Sequence, residues 1–78
     1  MVQIGEAIKH IRQVNMLSQE AFAKAIGVSF TTVNRWESGK TKPSYKAANR
    51  IAVFCKERAS ELDFIKIYLE DKDVTESN

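Results

Sequence analysis

The stretch from Ser29 to Ser38 carries the side chains best suited to recognition chemistry. Wound as a helix at about 100° per residue, it directs Val33 inward, with Ser29, Phe30, Trp36 and Glu37 within about 60° of that direction. Thr31, Asn34, Arg35 and Ser38 fall roughly opposite, and Thr32 lies to the side. Those types suit the edges of base pairs. An arginine fork bonds guanine O6 and N7, an asparagine amide bonds adenine N6 and N7, and a threonine methyl meets a thymine methyl. A helix face that is merely solvated would also be polar, so the surrounding segments must decide.

Other chemistry is poorly supplied. His10 is the sole histidine and falls on the exposed side of its segment, so it reads as solvated. Cys55 falls on an apolar face and reads as a small buried hydrophobe. It has no histidine near it in sequence to serve as the base that a nucleophile needs. The carboxylates are scattered or pooled near the C-terminus, with no acid–base pair and no metal-ligand spacing. There is no phosphate loop. An enzyme is therefore disfavoured, and neither a metal nor a cofactor is expected.

The 78 residues make one small domain, 44% apolar and 28% charged, with three Gly and one Pro. That is a folding composition rather than a disordered or fibrous one. No apolar run approaches the ~20 residues of a membrane span. The first residues lack the apolar core of a signal peptide, so the expected compartment is the cytoplasm. Net charge divides unevenly. Residues 1–58 hold ten Lys/Arg against four acids, whereas residues 59–78 hold two Lys against six acids. A basic body with an acidic tail points to a polyanionic partner for the body.

The elements that must position the recognition stretch read as five helices. The first runs from Ile4 to Asn15, with Ile4, Ala7, Ile8 and Ile11 on one face. Ser18 caps a second, reaching Ile26, whose apolar positions are Ala21, Phe22, Ala25 and Ile26. Gly27 stops it, and Ser29 caps a third helix from Phe30 to about Ser38, ended by Gly39. After Pro43, Ser44 caps a fourth, Tyr45 to Glu57, with Ala48, Ile51, Ala52 and Cys55 inward. A fifth, Ser60 to Leu69, is apolar on more than one face. Two short helices around a Gly-containing turn make a helix-turn-helix unit, here residues 18–38. The domain is expected over 1–70, with 71–78 an acidic, flexible tail.

Four segments carry a family likeness: Leu17-Ser-Gln-Glu-Ala-Phe-Ala, Ile26-Gly-Val-Ser, Val33-Asn-Arg-Trp-Glu and Gly39-Lys-Thr-Lys-Pro43. Over residues 4 to about 56 the chain resembles the Cro/phage-repressor type of helix-turn-helix domain, also called lambda-repressor-like. The resemblance implies an all-α bundle of four or five helices and sequence-specific binding of double-stranded DNA, usually as a dimer. It implies base contacts from Phe30, Thr31, Asn34 and Arg35. Ser18, Gln19, Ser29, Thr32, Ser38, Lys40, Thr41 and Lys42 would meet phosphates, the serines through hydroxyls at helix starts and the lysines in the loop after the recognition helix. The family pattern also pairs Arg12 with Glu37 as a structural ion pair between helices.

Two functions follow. One is a transcriptional regulator, a repressor that binds its operator as a homodimer through the C-terminal segment. The other is a protein-interaction module, such as the antitoxin of a toxin–antitoxin pair, using the apolar segment Leu62, Phe64, Ile65, Ile67, Tyr68 and Leu69 to meet another chain. No membrane association is expected.

Overall fold

Residues 3–58 and 63–70 are described by a computed structural model. They form five helices: α1 (Ile4–Val14), α2 (Gln19–Ile26), α3 (Phe30–Glu37), α4 (Tyr45–Glu57) and α5 (Phe64–Glu70). There is no strand among the described residues. Residues 71–78, expected as the tail, and Ser60 and Leu62 lie outside them.

Serines start three of the helices. The Ser18, Ser29 and Ser44 hydroxyls accept the backbone N–H of Ala21, Thr32 and Ala47 at 3.0, 3.1 and 3.2 Å. Each cap satisfies one orphan donor of a first turn, about 1 kcal/mol apiece. Asp63 does the same for α5, its Oδ1 accepting from Lys66 N at 3.1 Å. Gly27 closes α2 at φ 87°, and the N–H groups of Gly27 and Val28 both donate to Ala23 O. That left-handed turn directs the chain into α3 after two residues. Asn15 ends α1 one residue earlier than the periodicity suggests, its side-chain amide donating to Ile11 O at 2.8 Å.

The core takes Ile4, Ile8 and Ile11 from α1, Phe22 and Ile26 from α2, Val33 and Trp36 from α3, Ile51 and Phe54 from α4, and Phe64 and Tyr68 from α5. Two alanines stand elsewhere than their spacing suggests. Ala25 is exposed and Ala52 is half-buried. The inward strip of α2 is instead Phe22, Ala23 and Ile26, and that of α4 includes Phe54. On the inward side of α4 the Phe54 ring meets Phe22 of α2 edge-on at 5.4 Å.

Two contacts set the outer helices. Gly5 lies where α1 crosses the end of α3, and a Cβ there would fall 2.6 Å from Trp36 O. The C-terminal helix is tied back by Tyr68, whose buried hydroxyl donates to Pro43 O at 2.8 Å. Because the atom opposing Gly5 is backbone, Gly5→Ala must move a helix. Urea unfolding of that variant is expected to show a loss of about 1–3 kcal/mol, although alanine is otherwise the better helix former.

Candidate nucleic-acid interface

α3 is held by its apolar side and presents its polar side. Val33 and Trp36 are buried, while Thr31, Asn34, Arg35 and Ser38 are exposed. Phe30, at the head of the helix, is 50% exposed, so it stands outside the core. Thr32 is half-buried, and its hydroxyl lies 2.9 Å from that of Ser29. The Ser38 hydroxyl donates back to Arg35 O at 3.1 Å. The loop after α3 folds against the same carbonyl: the N–H groups of Lys40 and Thr41 approach Arg35 O at 3.0 and 3.4 Å. That contact keeps Lys40 and Thr41 beside the C-terminal end of α3.

The N-terminus of α2 reaches the same face. Asn34 Nδ2 donates to Gln19 Oε1 at 3.3 Å, and Gln19 Nε2 donates to Glu37 Oε1 at 3.0 Å. Behind Gln19 stands a fork-to-fork pair. Arg12 Nε donates to Glu37 Oε2 at 2.7 Å and Arg12 Nη2 to Glu37 Oε1 at 3.0 Å. Arg12 Nη1 also donates to Leu17 O at 3.0 Å. A continuous chain of hydrogen bonds thus runs from α1, through the end of α3 and the head of α2, to the exposed face of α3. The Asn34–Gln19–Glu37 part of it has no signature in spacing, because it depends on how close α2 and α3 cross and on two rotamers. The only hint in the sequence is that two of the residues concerned, Gln19 and Asn34, are amides.

The electrostatics follow from burial against pairing. The side chains of Arg12 and Glu37 are 14% and 6% exposed. Burial is the largest single influence on the Glu37 carboxyl and acts to raise its pKa. The hydrogen bonds from Arg12 and Gln19 and the charges of Arg12 and Lys9 together outweigh it and hold the group below the ordinary glutamate value. The bond to Glu37 raises the pKa of Arg12 against the opposing effect of burial.

Thr31, Asn34, Arg35 and Ser38 therefore share the exposed side of α3, with Phe30 at its head and Gln19, Lys40 and Thr41 beside it. Arg12 and Glu37 lie behind it and link helices. Among the described residues, no group of three or more His, Cys, Asp or Glu could hold a metal ion. Nor is any helix among them long and apolar enough to cross a membrane.

Comparison with known proteins bears on this surface. The helix-turn-helix family profile matches residues 8–62, which include all of α2, α3 and the loop that follows. The chain belongs to the helix-turn-helix family of the Cro/phage-repressor type. Members of this type are DNA-binding proteins of transcription regulation. The chain is also 38% identical over 65 residues to an uncharacterized HTH-type transcriptional regulator of Methanocaldococcus jannaschii, an alignment covering 83% of this chain and 94% of the relative. No solved structure matches it.

Removing Arg12 alone leaves a buried, unpaired carboxylate. Arg12→Met should cost roughly 3 kcal/mol in chemical unfolding, and Arg12→Met with Glu37→Leu distinctly less. Since folding lowers the Glu37 pKa, its stabilising effect is complete above the unfolded value and is lost as pH falls through the folded one. Wild type should therefore lose its advantage over Glu37→Gln below about pH 4.5, as read from unfolding curves between pH 3 and pH 7.

Proposed function

We propose that this chain is a cytoplasmic regulator of transcription that binds double-stranded DNA sequence-specifically, most simply as a repressor, with α3 in the major groove. The observation that carries the reading is the composition of one surface. Thr31, Asn34 and Arg35 are exposed on α3, flanked on one side by the head of α2 and on the other by Lys40 and Thr41. Thr31, Asn34 and Arg35 read base edges, and Phe30 meets a thymine methyl or a sugar at the head of the helix. Ser18, Gln19, Ser29, Thr32, Ser38, Lys40, Thr41 and Lys42 lie along the phosphates. Several of these groups already have local duties, Gln19 among them through its bonds to Glu37 and Asn34. Ser18 and Ser29 cap helices, Thr32 pairs with Ser29, and Ser38 bonds Arg35 O. Their share of phosphate binding is correspondingly oriented by the fold. Lysine contacts and free N–H groups at helix starts supply most of the affinity, which falls steeply with salt.

The functional unit is a homodimer formed through α5. Phe64 and Tyr68 are buried within the chain, whereas Ile65 and Leu69 are 37% and 50% exposed. A second copy would cover those residues, and the half-sites of such a dimer would lie about 34 Å apart, one turn of DNA. The same apolar pair would serve an interaction module with a foreign partner.

The test is selection from a genomic fragment library by the purified protein at about 150 mM salt, where contacts through phosphates alone are weak. An enriched palindrome is expected, and an absence of enrichment would overturn the reading. On the selected site, Arg35→Ala should cost roughly 1–3 kcal/mol and relax the choice at one base pair. Lys40→Ala should weaken all sequences alike and make the slope of log K against log salt shallower by about one. Sedimentation should give a dimer that Leu69→Glu converts to a folded monomer. A wild-type monomer would favour the foreign partner instead.

A further inference from the structure

We infer that Gln19 is a specificity-determining residue: held by the Glu37 carboxylate, its amide fixes the polarity of the Asn34 amide, so that α3 offers the donor–acceptor pair of an adenine partner. The inference rests on the proposed reading of a base by Asn34.

Glu37 is an ionised carboxylate, paired with both Arg12 Nε and Nη2, and an ionised carboxylate accepts hydrogen bonds but cannot donate them. Whatever Gln19 turns toward Glu37 Oε1 at 3.0 Å must therefore be its NH2 group. That leaves the Gln19 carbonyl oxygen directed at Asn34. An acceptor there in turn demands a donor, so Asn34 must present Nδ2, which lies 3.3 Å away. A reversed Asn34 would bring Oδ1 against Gln19 Oε1, two acceptors with no proton between them. The carboxylate thus sets the direction of two successive amides, and Arg12 sets the carboxylate.

The consequence falls on the exposed side of Asn34. One Nδ2 proton is committed to Gln19, leaving a single N–H and the whole of Oδ1 for a partner. Adenine offers an acceptor at N7 and a donor at N6 in the major groove, which matches this pair. Guanine offers two acceptors, N7 and O6, and would confront Oδ1 with O6. An amide free to rotate could turn both Nδ2 protons toward guanine, and this one cannot without breaking its bond to Gln19. Gln19 therefore acts on base choice through Asn34, in addition to any phosphate contact of its own. Such a contact would change affinity on every sequence alike.

The experiment is selection from a library of random DNA duplexes at about 150 mM salt with wild type, Asn34→Ala and Gln19→Met. Methionine keeps the length and apolar stem of Gln19 and removes both polar atoms. Thermal unfolding verifies that each variant is folded. The position that Asn34→Ala makes indifferent is the base pair Asn34 reads. At that position wild type should prefer adenine over guanine by about ten-fold or more. Gln19→Met should reduce the preference to about two-fold, with the other positions unchanged. In the DNA-free protein, the two Nδ2 proton resonances of Asn34 should be well separated in wild type and move together in Gln19→Met. If Asn34→Ala alters one position and Gln19→Met leaves the adenine preference there intact, the inference fails and the base-reading role of Asn34 stands. A uniform loss of affinity in Gln19→Met with unchanged preferences has the same meaning. If Asn34→Ala alters no position, the reading of Asn34 fails and the inference with it.

Discussion

Arg12 binds three parts of the fold at once. Its guanidinium takes both oxygens of Glu37 at the end of α3 and the carbonyl of Leu17 in the turn before α2, while its own backbone carbonyl accepts from Leu17 N. Burying two charges is expensive, and their attraction recovers that cost only where the geometry is good and the remaining lone pairs are used. Both conditions are met here. The pair is bidentate, and the Glu37 oxygen that Arg12 shares also accepts from Gln19. Among the described residues, no buried side-chain nitrogen or oxygen is left without a partner. The net stabilisation from such a pair is small, but its directionality is high. A hydrophobic contact would tolerate sliding of α1 over α3, whereas a fork-to-fork bond does not.

Gly5 works on the same crossing from the other end of α1. Its missing Cβ lets the helix rest against the carbonyls of Trp36 and Glu37. Two contacts on one helix pair, one steric and one ionic, leave α3 little freedom to roll. That rigidity matters for any helix that reads a surface by hydrogen bonds, since bidentate pairing weakens steeply with misalignment. The serine caps and the left-handed Gly27 then determine where α3 begins relative to α2. The exposed face of α3 is consequently a product of residues that do not belong to it.

The C-terminal helix is coupled to this assembly from below. Tyr68 bonds the Pro43 carbonyl, at the end of the loop that also holds Lys40 and Thr41 against α3. Tyr68 further meets the rings of Tyr45 and Phe64. A helix of seven residues is too short to persist alone. It is stable because Phe64 and Tyr68 are buried, and the same turn of helix leaves Ile65 and Leu69 outward.

Local pattern alone specifies much of this molecule. The helices are legible because serine, glycine and proline act within three or four residues of themselves. Caps and left-handed turns need no distant partner. The inward face of α1 and the polar face of α3 are equally legible, since the helical period assigns them without knowing the neighbour. Other features are invisible until the helices meet. Phe54 belongs to the inward strip of α4, where it meets Phe22 of α2, while Ala52 is only half-buried. Gly5 reads as an indifferent helical glycine until a carbonyl of α3 arrives at its Cα. Gln19 and Asn34 are fifteen residues apart, and their bond depends on a crossing distance that neither helix encodes. Periodicity distributes side chains around one axis. Which atoms of two helices come within 3 Å depends on the packing of both against a third, and that packing is a property of the whole core.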